Sequence, residues 1–508
     1  MSRVQGLIAH VESIYGMHLL FFISLLIVQP RNGGWVGDCI LGVLPNKQLP
    51  GAYNHHEHTT SKHSSASINQ KSTAHSKMSS IYEIPIELLD HILKFTDNPI
   101  AQMSVCRNFH DLAIPIAYRG IQLRCQTKAV VPFDIHLLLQ TLICRPALGA
   151  HVRSLCFDNC HGYWRPRRYV AAQPYIDHFS SFAAEATARG LPLAVQRDLK
   201  SPGGFVDDMF VLLLSYLPGL QVLHLENLDD VGIFMRHISW TAKQPSGLQS
   251  LHSLIIRHGI SGCNVYLVPV FHLPALRVFS CYDAIMDCAI SDTELSPGSS
   301  NVEQIVLEYS QWNDGPLATL ISSSRALRRF TYLSEEPLKG VSGSFYVSFT
   351  WNALLKHAKY TLERLDILFP DENPTGPVGS PGLLRDFTQL THVYATLTIL
   401  LGLHNENNPT PLSTILPESL VFLAVWIDED WGGMIAVPVL VQLLASRRDS
   451  VRQLKELCVG GDDIDDAELE AVRSVCLAEG VEFGKFENPF PRSSPIDTFP
   501  EVPCLHDI

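Results

Sequence analysis

Two thiols and an imidazole that could bind a metal ion or act as nucleophiles lie close together at one place in the sequence. Cys156, Cys160 and His161 fall within one short segment. Structural zinc sites usually combine two pairs of such ligands at fixed spacing, and no second pair accompanies this one. The spacing therefore predicts a plain thiol at the surface or in a cleft for Cys156, and no metal site.

Other reactive side chains occur only in incomplete patterns. Gly340–Ser344 approximates the turn that carries a catalytic serine, and Asp428–Asp430 reads as a solvated acidic turn after a strand. The histidine-containing tract between residues 51 and 77 is polar throughout, as expected of a solvated segment. Glycine-rich phosphate loops and zinc-protease motifs are absent from the sequence. We therefore expect no catalytic residue, no cofactor and no metal, and a protein that binds rather than catalyses.

Composition limits the class of protein and of partner. The 508 residues are 46% hydrophobic and 18% charged, which is typical of a globular protein with a large core. The net charge of −13 and the lack of a Lys/Arg-rich run argue against nucleic acid as a partner. Twelve cysteines spread thinly along the chain predict free thiols in a reducing compartment, either cytoplasm or nucleus.

A short hydrophobic pattern recurs along most of the chain and predicts its architecture. Each instance has three apolar residues: two spacer residues separate the first from the second, and one spacer residue separates the second from the third. The second and third therefore alternate with a spacer at a period of two residues, as in a strand. The instances are Val152–Phe157, Leu220–Leu225, Leu251–Ile256, Leu276–Cys281, Val302–Leu307, Leu327–Tyr332, Leu362–Ile367, Leu390–Ala395, Leu420–Val425 and Leu454–Val459. Only the gap between the first two is long, which indicates an insertion or a missed unit.

Helical segments are predicted between these strands. They cover Phe133–Leu142, Val206–Leu217, Pro316–Leu327, Trp351–Leu362, Pro381–Leu390 and Val437–Leu457. A strand and a helix at a near-constant period are typical of a solenoid, and the pattern resembles irregular leucine-rich repeats. The competing α/β fold is a doubly wound sheet, which needs strands buried on both faces. Polar spacers such as Arg153, Gln304 and Glu456 favour the solenoid, with one strand face exposed.

The end of the repeat region carries the signals of a cap. The acidic run Asp462–Glu470 suits the start of a helix over Ala467–Ala478, where negative charge offsets the helix dipole. Val481–Phe486 is a possible final strand. We expect the repeats to cover residues 126–487 and the proline-rich residues 488–508 to form a loose tail.

Two short amphipathic helices are predicted between residues 81 and 124, ahead of the repeats. Pro85 suits the first helical position, and Leu88 and Ile92 begin an apolar row along the first helix. Asn98 and Pro99 start the second helix, which Pro115 ends or kinks. Because helices this short cannot bury both apolar faces alone, one face needs a neighbour or a partner.

The same residues resemble the F-box, an adaptor-binding motif, and most of all the F-boxes of fungal proteins. The matching features are Ile84 to Leu93, Val105-Cys106-Arg107, Phe109, Leu112, Pro115 and Tyr118-Arg119. The resemblance implies that residues 81–125 dock on a Skp-type adaptor bound to a cullin. The expected adaptor-binding residues are Pro85, Leu88, Leu89, Ile92, Leu93, Val105, Cys106 and Phe109. An ordinary helical hairpin at the start of the repeat domain is the alternative.

Residues 1–80 differ in composition from the rest. The apolar run Leu19–Val28 is shorter than the roughly 20 residues of a membrane-spanning helix, although a signal peptide needs fewer. We interpret residues 1–80 as a disordered or mis-annotated extension, with Met78 a plausible start. A targeting segment, and with it a secreted or membrane-associated protein, is the alternative, and we expect no membrane association.

These features together predict a substrate-recognition subunit of an SCF-type ubiquitin ligase, in which an F-box protein links a substrate to a Skp-type adaptor and a cullin. An unknown protein substrate would lie on the exposed strand face, where aromatic and charged residues dominate binding. The candidate substrate-binding residues are Tyr282, Glu308, Arg329, Asp366, Tyr394 and Trp426. The alternative is an interaction scaffold that has no link to ubiquitin.

Overall fold

The computed structural model shows that the repeats form one continuous parallel sheet. It describes residues 107–124, 133–158, 176–200, 206–226, 238, 240–242, 247–261, 267–286, 295–312, 314–333, 347–368, 381–401, 410–427, 432–461 and 464–486. The strands are β1 (Gly120–Arg124), β2 (Ser154–Asp158), β3 (Val222–Glu226), β4 (Ser253–Ser261), β5 (Val278–Met286), β6 (Gln304–Glu308), β7 (Gln311–Trp312), β8 (Arg329–Leu333), β9 (Arg364–Leu368), β10 (His392–Thr396), β11 (Phe422–Ile427), β12 (Glu456–Gly461) and β13 (Glu482–Lys485).

Strand order follows the order of the chain without a reversal. Each strand pairs in parallel with the strand before it and the strand after it, except that the two-residue β7 pairs with β5 beside the main path. A doubly wound sheet would reverse its strand order at a switch point. The alternative fold is therefore wrong for the described residues, and the strand–helix array agrees with the predicted α/β solenoid.

Helices connect most of the successive strands. They are α1 (Arg107–Ala117), α2 (Phe133–Cys144), α3 (Ile176–Ala188), α4 (Leu193–Asp198), α5 (Val206–Leu214), α6 (Leu267–Phe271), α7 (Asp314–Ser323), α8 (Val347–His357), α9 (Leu397–Leu401), α10 (Leu412–Ile415), α11 (Gly432–Ala445) and α12 (Asp466–Glu479). Pro146–His151 and Pro381–Asp386 are 3₁₀ helices. The predicted helix over Val437–Leu457 ends at Ala445, because the chain needs the following turn to reach β12.

All ten predicted strand segments form strands, but each strand begins two residues after its first apolar residue. Leu327 lies in the turn before β8 and is buried in the core, whereas Phe330 and Tyr332 belong to the strand. One carbonyl in each turn accepts two backbone N–H groups of the next repeat. The oxygen of Arg328, for example, lies 2.8 Å from the nitrogen of Glu363 and 3.0 Å from that of Arg364. This repeated bond fixes the register of neighbouring strands.

The long gap between the first two predicted strands holds an insertion of helices. β2 pairs directly with β3, so no strand of the sheet was missed there, and α3, α4 and α5 lie between them in sequence. Phe182 on α3 and Phe210 on α5 are fully buried. The ring of Phe210 lies 5.1 Å from that of Phe157 on β2, so the insertion extends the core.

The sheet starts earlier than the sequence indicated. β1 lies within the segment expected to form the F-box-like unit, and it pairs with β2 in the same register as the later strands. Ile121 and Leu123 of β1 are buried in the common core, and Tyr118 packs against it. Residues 120–124 therefore contribute the first strand of the repeat sheet.

The last helix and strand close the array as expected. Asp465 caps α12: its side chain accepts from the backbone N–H of Glu468 at 2.7 Å, and Glu468 accepts from the N–H of Asp465 at 3.1 Å. Gly480 ends the helix with a φ of 68°, a conformation that glycine adopts without strain. β13 then pairs with β12, which confirms the predicted final strand.

The described helices cover one face of the sheet. Strand residues such as Leu365 and Val393 share a single hydrophobic core with the helices. A smaller cluster on the opposite face consists of strand residues, with Phe486 packed against it, and includes no residue of a described helix. No helix among the described residues is long and apolar enough to cross a membrane.

Candidate functional site

Alternate strand residues point away from the helices and form what we call the spacer face, which includes Arg329, Thr331 and Leu333 of β8. In-register pairing places equivalent residues of successive strands side by side. Arg329 lies beside Arg364, and Arg364 beside His392. The spacer face thus brings together residues that are far apart in the sequence.

A groove of about 410 Å³ lies at the amino ends of β6, β8, β9 and β10. Charged and polar side chains from four successive repeats line it: Glu303, Gln304, Arg328, Arg329, Glu363, Arg364, Thr391 and His392. A groove of this size can hold a few side chains of a partner. We call this site the arginine groove.

A buried carboxylate holds two of the groove arginines in place. Oδ2 of Asp366 lies 3.2 Å from Nη2 of Arg329 and 2.9 Å from Nε of Arg364, and it also accepts from the Thr331 hydroxyl at 2.8 Å. The Asp366 side chain is only 4% exposed. Burial lowers the pKa of Arg329, and Asp366 opposes that shift by stabilising the charged form. Both guanidinium groups are therefore fixed before any partner binds.

The fixed arginines keep N–H groups for a ligand. No described residue bonds with Nη1 of Arg329 or with Nη1 and Nη2 of Arg364, and the Arg364 side chain is 44% exposed. Planar guanidinium groups bind carboxylate and phosphate oxygens in pairs of parallel hydrogen bonds. The arginine groove is therefore suited to an anionic group.

An alternating row of charges runs along the edge of the groove. Arg277 lies 3.3 Å from Glu303, Glu303 lies 3.8 Å from Arg328, and Arg328 lies 3.2 Å from Glu363. These side chains are a third to more than half exposed, so the pairs add little to stability. The charges of these two arginines and two glutamates cancel. Arg329, Arg364 and Asp366 therefore determine the charge of the arginine groove.

His392 forms one end of the groove. Its ring stacks on Phe422 with 5.8 Å between centroids, and its Nδ1 lies 2.9 Å from the Thr391 hydroxyl. Loss of hydration and the nearby Arg364 lower the pKa of His392, whereas Asp366 and Glu456 oppose this. The environment of the ring therefore favours the neutral imidazole.

All six predicted substrate-binding residues lie on the spacer face, but most of them are not exposed. Glu308, Asp366, Tyr394 and Trp426 are buried, which corrects the expectation of an exposed strand face at these positions. Arg329 is mostly covered, with 17% of its side chain exposed, and Tyr282 is half-buried. Their role in substrate binding stays a prediction.

Packing within the spacer face explains part of this burial. The ring of Phe486 lies 5.4 Å from Tyr394 and 5.8 Å from Trp426. It fits there because β12 has glycine at residue 460, where an added Cβ would come within 2.7 Å of the Phe486 ring. Large spacer residues thus bury one another instead of facing solvent.

Sequence reasoning missed several residues of the groove. Gln304, Arg364 and His392 occupy the same repeat position as Arg329, one residue before a core residue of the strand. That shared position is the signal that could have found them. It becomes meaningful only when the strands are known to pair in register.

The predicted adaptor-binding residues lie almost entirely outside the described residues. Pro85, Leu88, Leu89, Ile92, Leu93, Val105 and Cys106 precede the first described residue, Arg107. Phe109 belongs to α1, but its side chain is not among those described. Pro115, expected to end or kink this helix, lies within its last turn.

Comparison with known proteins identifies the repeat region. Residues 246–481 match the leucine-rich repeat domain family. This range runs from just before β4 to the end of α12, and so it includes the arginine groove. No curated protein matches the chain significantly. Residues 246–481 are therefore similar to a leucine-rich repeat domain.

Proposed function

We propose that the chain is the substrate-recognition subunit of an SCF-type ubiquitin ligase and that its arginine groove binds an acidic segment of the substrate protein. The observation that carries the binding half is the pair of guanidinium groups held by buried Asp366, with N–H groups left for an anion. The F-box-like sequence of residues 81–125 supports the ligase half.

In this function the chain itself transfers no group and needs no cofactor. It holds the substrate near the ubiquitin-loaded enzyme, which raises the effective concentration of the reacting groups. A segment rich in Asp or Glu would pair with Arg329 and Arg364. This role requires a soluble protein in the cytoplasm or the nucleus. Both are reducing compartments, as the cysteine content predicts.

The adaptor claim is tested by co-purification of the full chain with a Skp-type adaptor. Asp at Leu88 and Ile92 would put charge into the apolar surface, so we expect the Leu88→Asp, Ile92→Asp variant to lose the adaptor. The matched control is Leu193→Asp with Leu477→Asp, at two leucines that are about 80% exposed. Adaptor retained by the first variant as strongly as by the control would remove the ligase role and leave the scaffold function.

The groove claim is tested by proximity labelling in cells. Arg329→Gln with Arg364→Gln keeps polar N–H donors but removes both charges, so we expect specific partners to be lost while the adaptor is retained. Arg452→Gln with Arg473→Gln, at exposed arginines outside the groove, is the matched control. An identical set of partners for both double variants would show that substrate binds elsewhere.

A further inference from the structure

A thiol, an imidazole and a carboxylate come together on the spacer face of β2 and β3, away from the arginine groove. Cys156 pairs in register with His224, and Glu226 lies two residues after His224 on the same strand. One ligand atom from each of the three lies within 4.8 Å of the other two. The parallel register therefore assembles a ligand set that no single segment of the sequence contains.

The spacing of two ligand atoms already matches that of a tetrahedral metal site. Sγ of Cys156 lies 3.7 Å from Nδ1 of His224. With bonds of about 2.3 Å to sulfur and about 2.0 Å to nitrogen, two ligands of a tetrahedral zinc ion lie roughly 3.6 Å apart. A metal ion could therefore bind both atoms without movement of either strand.

The surroundings of His224 favour the neutral form that a metal ligand requires. Burial lowers the pKa of His224 to about 4, Arg257 adds to this shift, and Asp158 opposes it. Nε2 of the ring is buried and has no hydrogen-bond partner among the described residues. Nδ1 lies 3.7 Å from Sγ of Cys156, so it is the nitrogen that a metal ion beside the thiol would bind, and Nε2 would carry the ring proton.

Charge also suits a divalent ion. A thiolate at Cys156 and the carboxylate of Glu226 would together cancel two positive charges. The buried carboxylate of Asp158, in register with Glu226, lies next to the same position. Mixed sulfur, nitrogen and oxygen ligands are typical of zinc, whereas calcium and magnesium take oxygen ligands.

We propose that Cys156, His224 and Glu226 bind a zinc ion, with water in the fourth position. The ion would join two successive repeats at the point where the helical insertion α3–α5 separates them in sequence. This site is independent of the proposed ligase function. It also replaces the sequence-based prediction for Cys156, which considered only neighbours in sequence; the decisive ligand comes from the next strand.

Cobalt serves as the spectroscopic probe. We expect the reduced, chelator-treated full chain to bind one Co²⁺ with an intense near-ultraviolet thiolate-to-cobalt absorption, and zinc to displace it. Cys156→Ser should abolish this absorption. His224→Gln and Glu226→Gln should keep it but weaken binding at least about ten-fold, because loss of a direct ligand costs no less than loss of an outer-shell partner.

The matched control is Cys458→Ser. Cys458 occupies the equivalent spacer position on β12, but its in-register neighbours are Ala424 and Gly484 rather than a histidine. We expect its cobalt spectrum to equal that of the unmutated chain. Circular dichroism verifies that each variant is folded. Should Cys156→Ser not fold, Glu226→Gln, at a half-buried residue, tests the site instead. Absence of cobalt binding, unchanged affinity in Glu226→Gln, or loss of the absorption in Cys458→Ser would overturn the proposal.

Discussion

Asp366 contributes both to the stability of the spacer face and to the binding of an anion there. A carboxylate this buried is tolerated because three donors surround it: Arg329, Arg364 and Thr331. The same contacts orient the guanidinium groups toward the groove. A single buried residue thus determines whether the two arginines are positioned for an anion.

We predict that Asp366→Asn destabilises the protein by about 2 kcal/mol, because it leaves two guanidinium groups without their shared charge. Thermal or denaturant unfolding measures this loss. Glu363→Gln is the control, since that carboxylate is 52% exposed and its pair with Arg328 should contribute below about 1 kcal/mol. Equal effects of the two changes would mean that Asp366 is not a buried charge in solution.

His224 predicts a pH dependence of stability in metal-free buffer. Its pKa of about 4 in the folded chain lies below its usual 6.5, so the unfolded chain takes up the proton first as the pH falls. The stabilisation is complete above pH 6.5 and is lost progressively between pH 6.5 and about 4. We expect His224→Gln to flatten the profile of unfolding midpoint against pH in this window. A profile unchanged by the substitution would contradict the buried, neutral imidazole.

At the scale of elements, the helix cap at the end of the array offers a clean measurement. Asp465→Ala removes the acceptor for the backbone N–H of Glu468, and we expect a loss of about 1 kcal/mol in the free energy of unfolding. Asp466→Ala is the control: its side chain is 94% exposed and pairs with Lys485 at the surface. A larger effect at Asp466 would show that negative charge near the amino end of the helix, rather than the capping hydrogen bond of Asp465, stabilises α12.

Strands were predictable from the sequence because each has two core residues at period two, preceded by one apolar residue in the turn. Two strands, β1 and β7, were not predicted, each for a physical reason. Tyr118, Ile121 and Leu123 have the same spacing at β1, but resemblance to an F-box assigned these residues to the preceding unit. β7 has two residues, too few for a period.

The groove was only partly predictable for a different reason. Arg329 and Asp366 were placed on the correct face, since alternation alone decides the face of a strand residue. Burial of Asp366, and the contribution of Arg364 and His392, depend on which residues lie side by side in adjacent strands. Repeat lengths that vary from 25 to 35 residues hide that register in the sequence.

At the scale of the whole molecule, the last unit protects the array. Leu469, Val472 and Cys476 of α12 are buried in the common core, so they cover the preceding repeat. We predict that a chain ending at Gly461 exposes this surface and forms large aggregates in size-exclusion chromatography. A chain ending at Glu487 keeps α12 and β13 and should elute like the full protein. Elution of both truncations as monomers would show that the terminal unit is not needed as a cap.

Each strand on the main path of the sheet bonds with the main-path strands before and after it in the chain, and β5 bonds in addition with β7. Apart from the helical insertion between β2 and β3, no strand must therefore wait for a segment more than about one repeat away in order to complete its hydrogen bonds. The array can accordingly assemble in the direction of synthesis, one repeat after another as it leaves the ribosome. The growing edge of the sheet during translation is always the newest strand, the place where a chaperone would be needed.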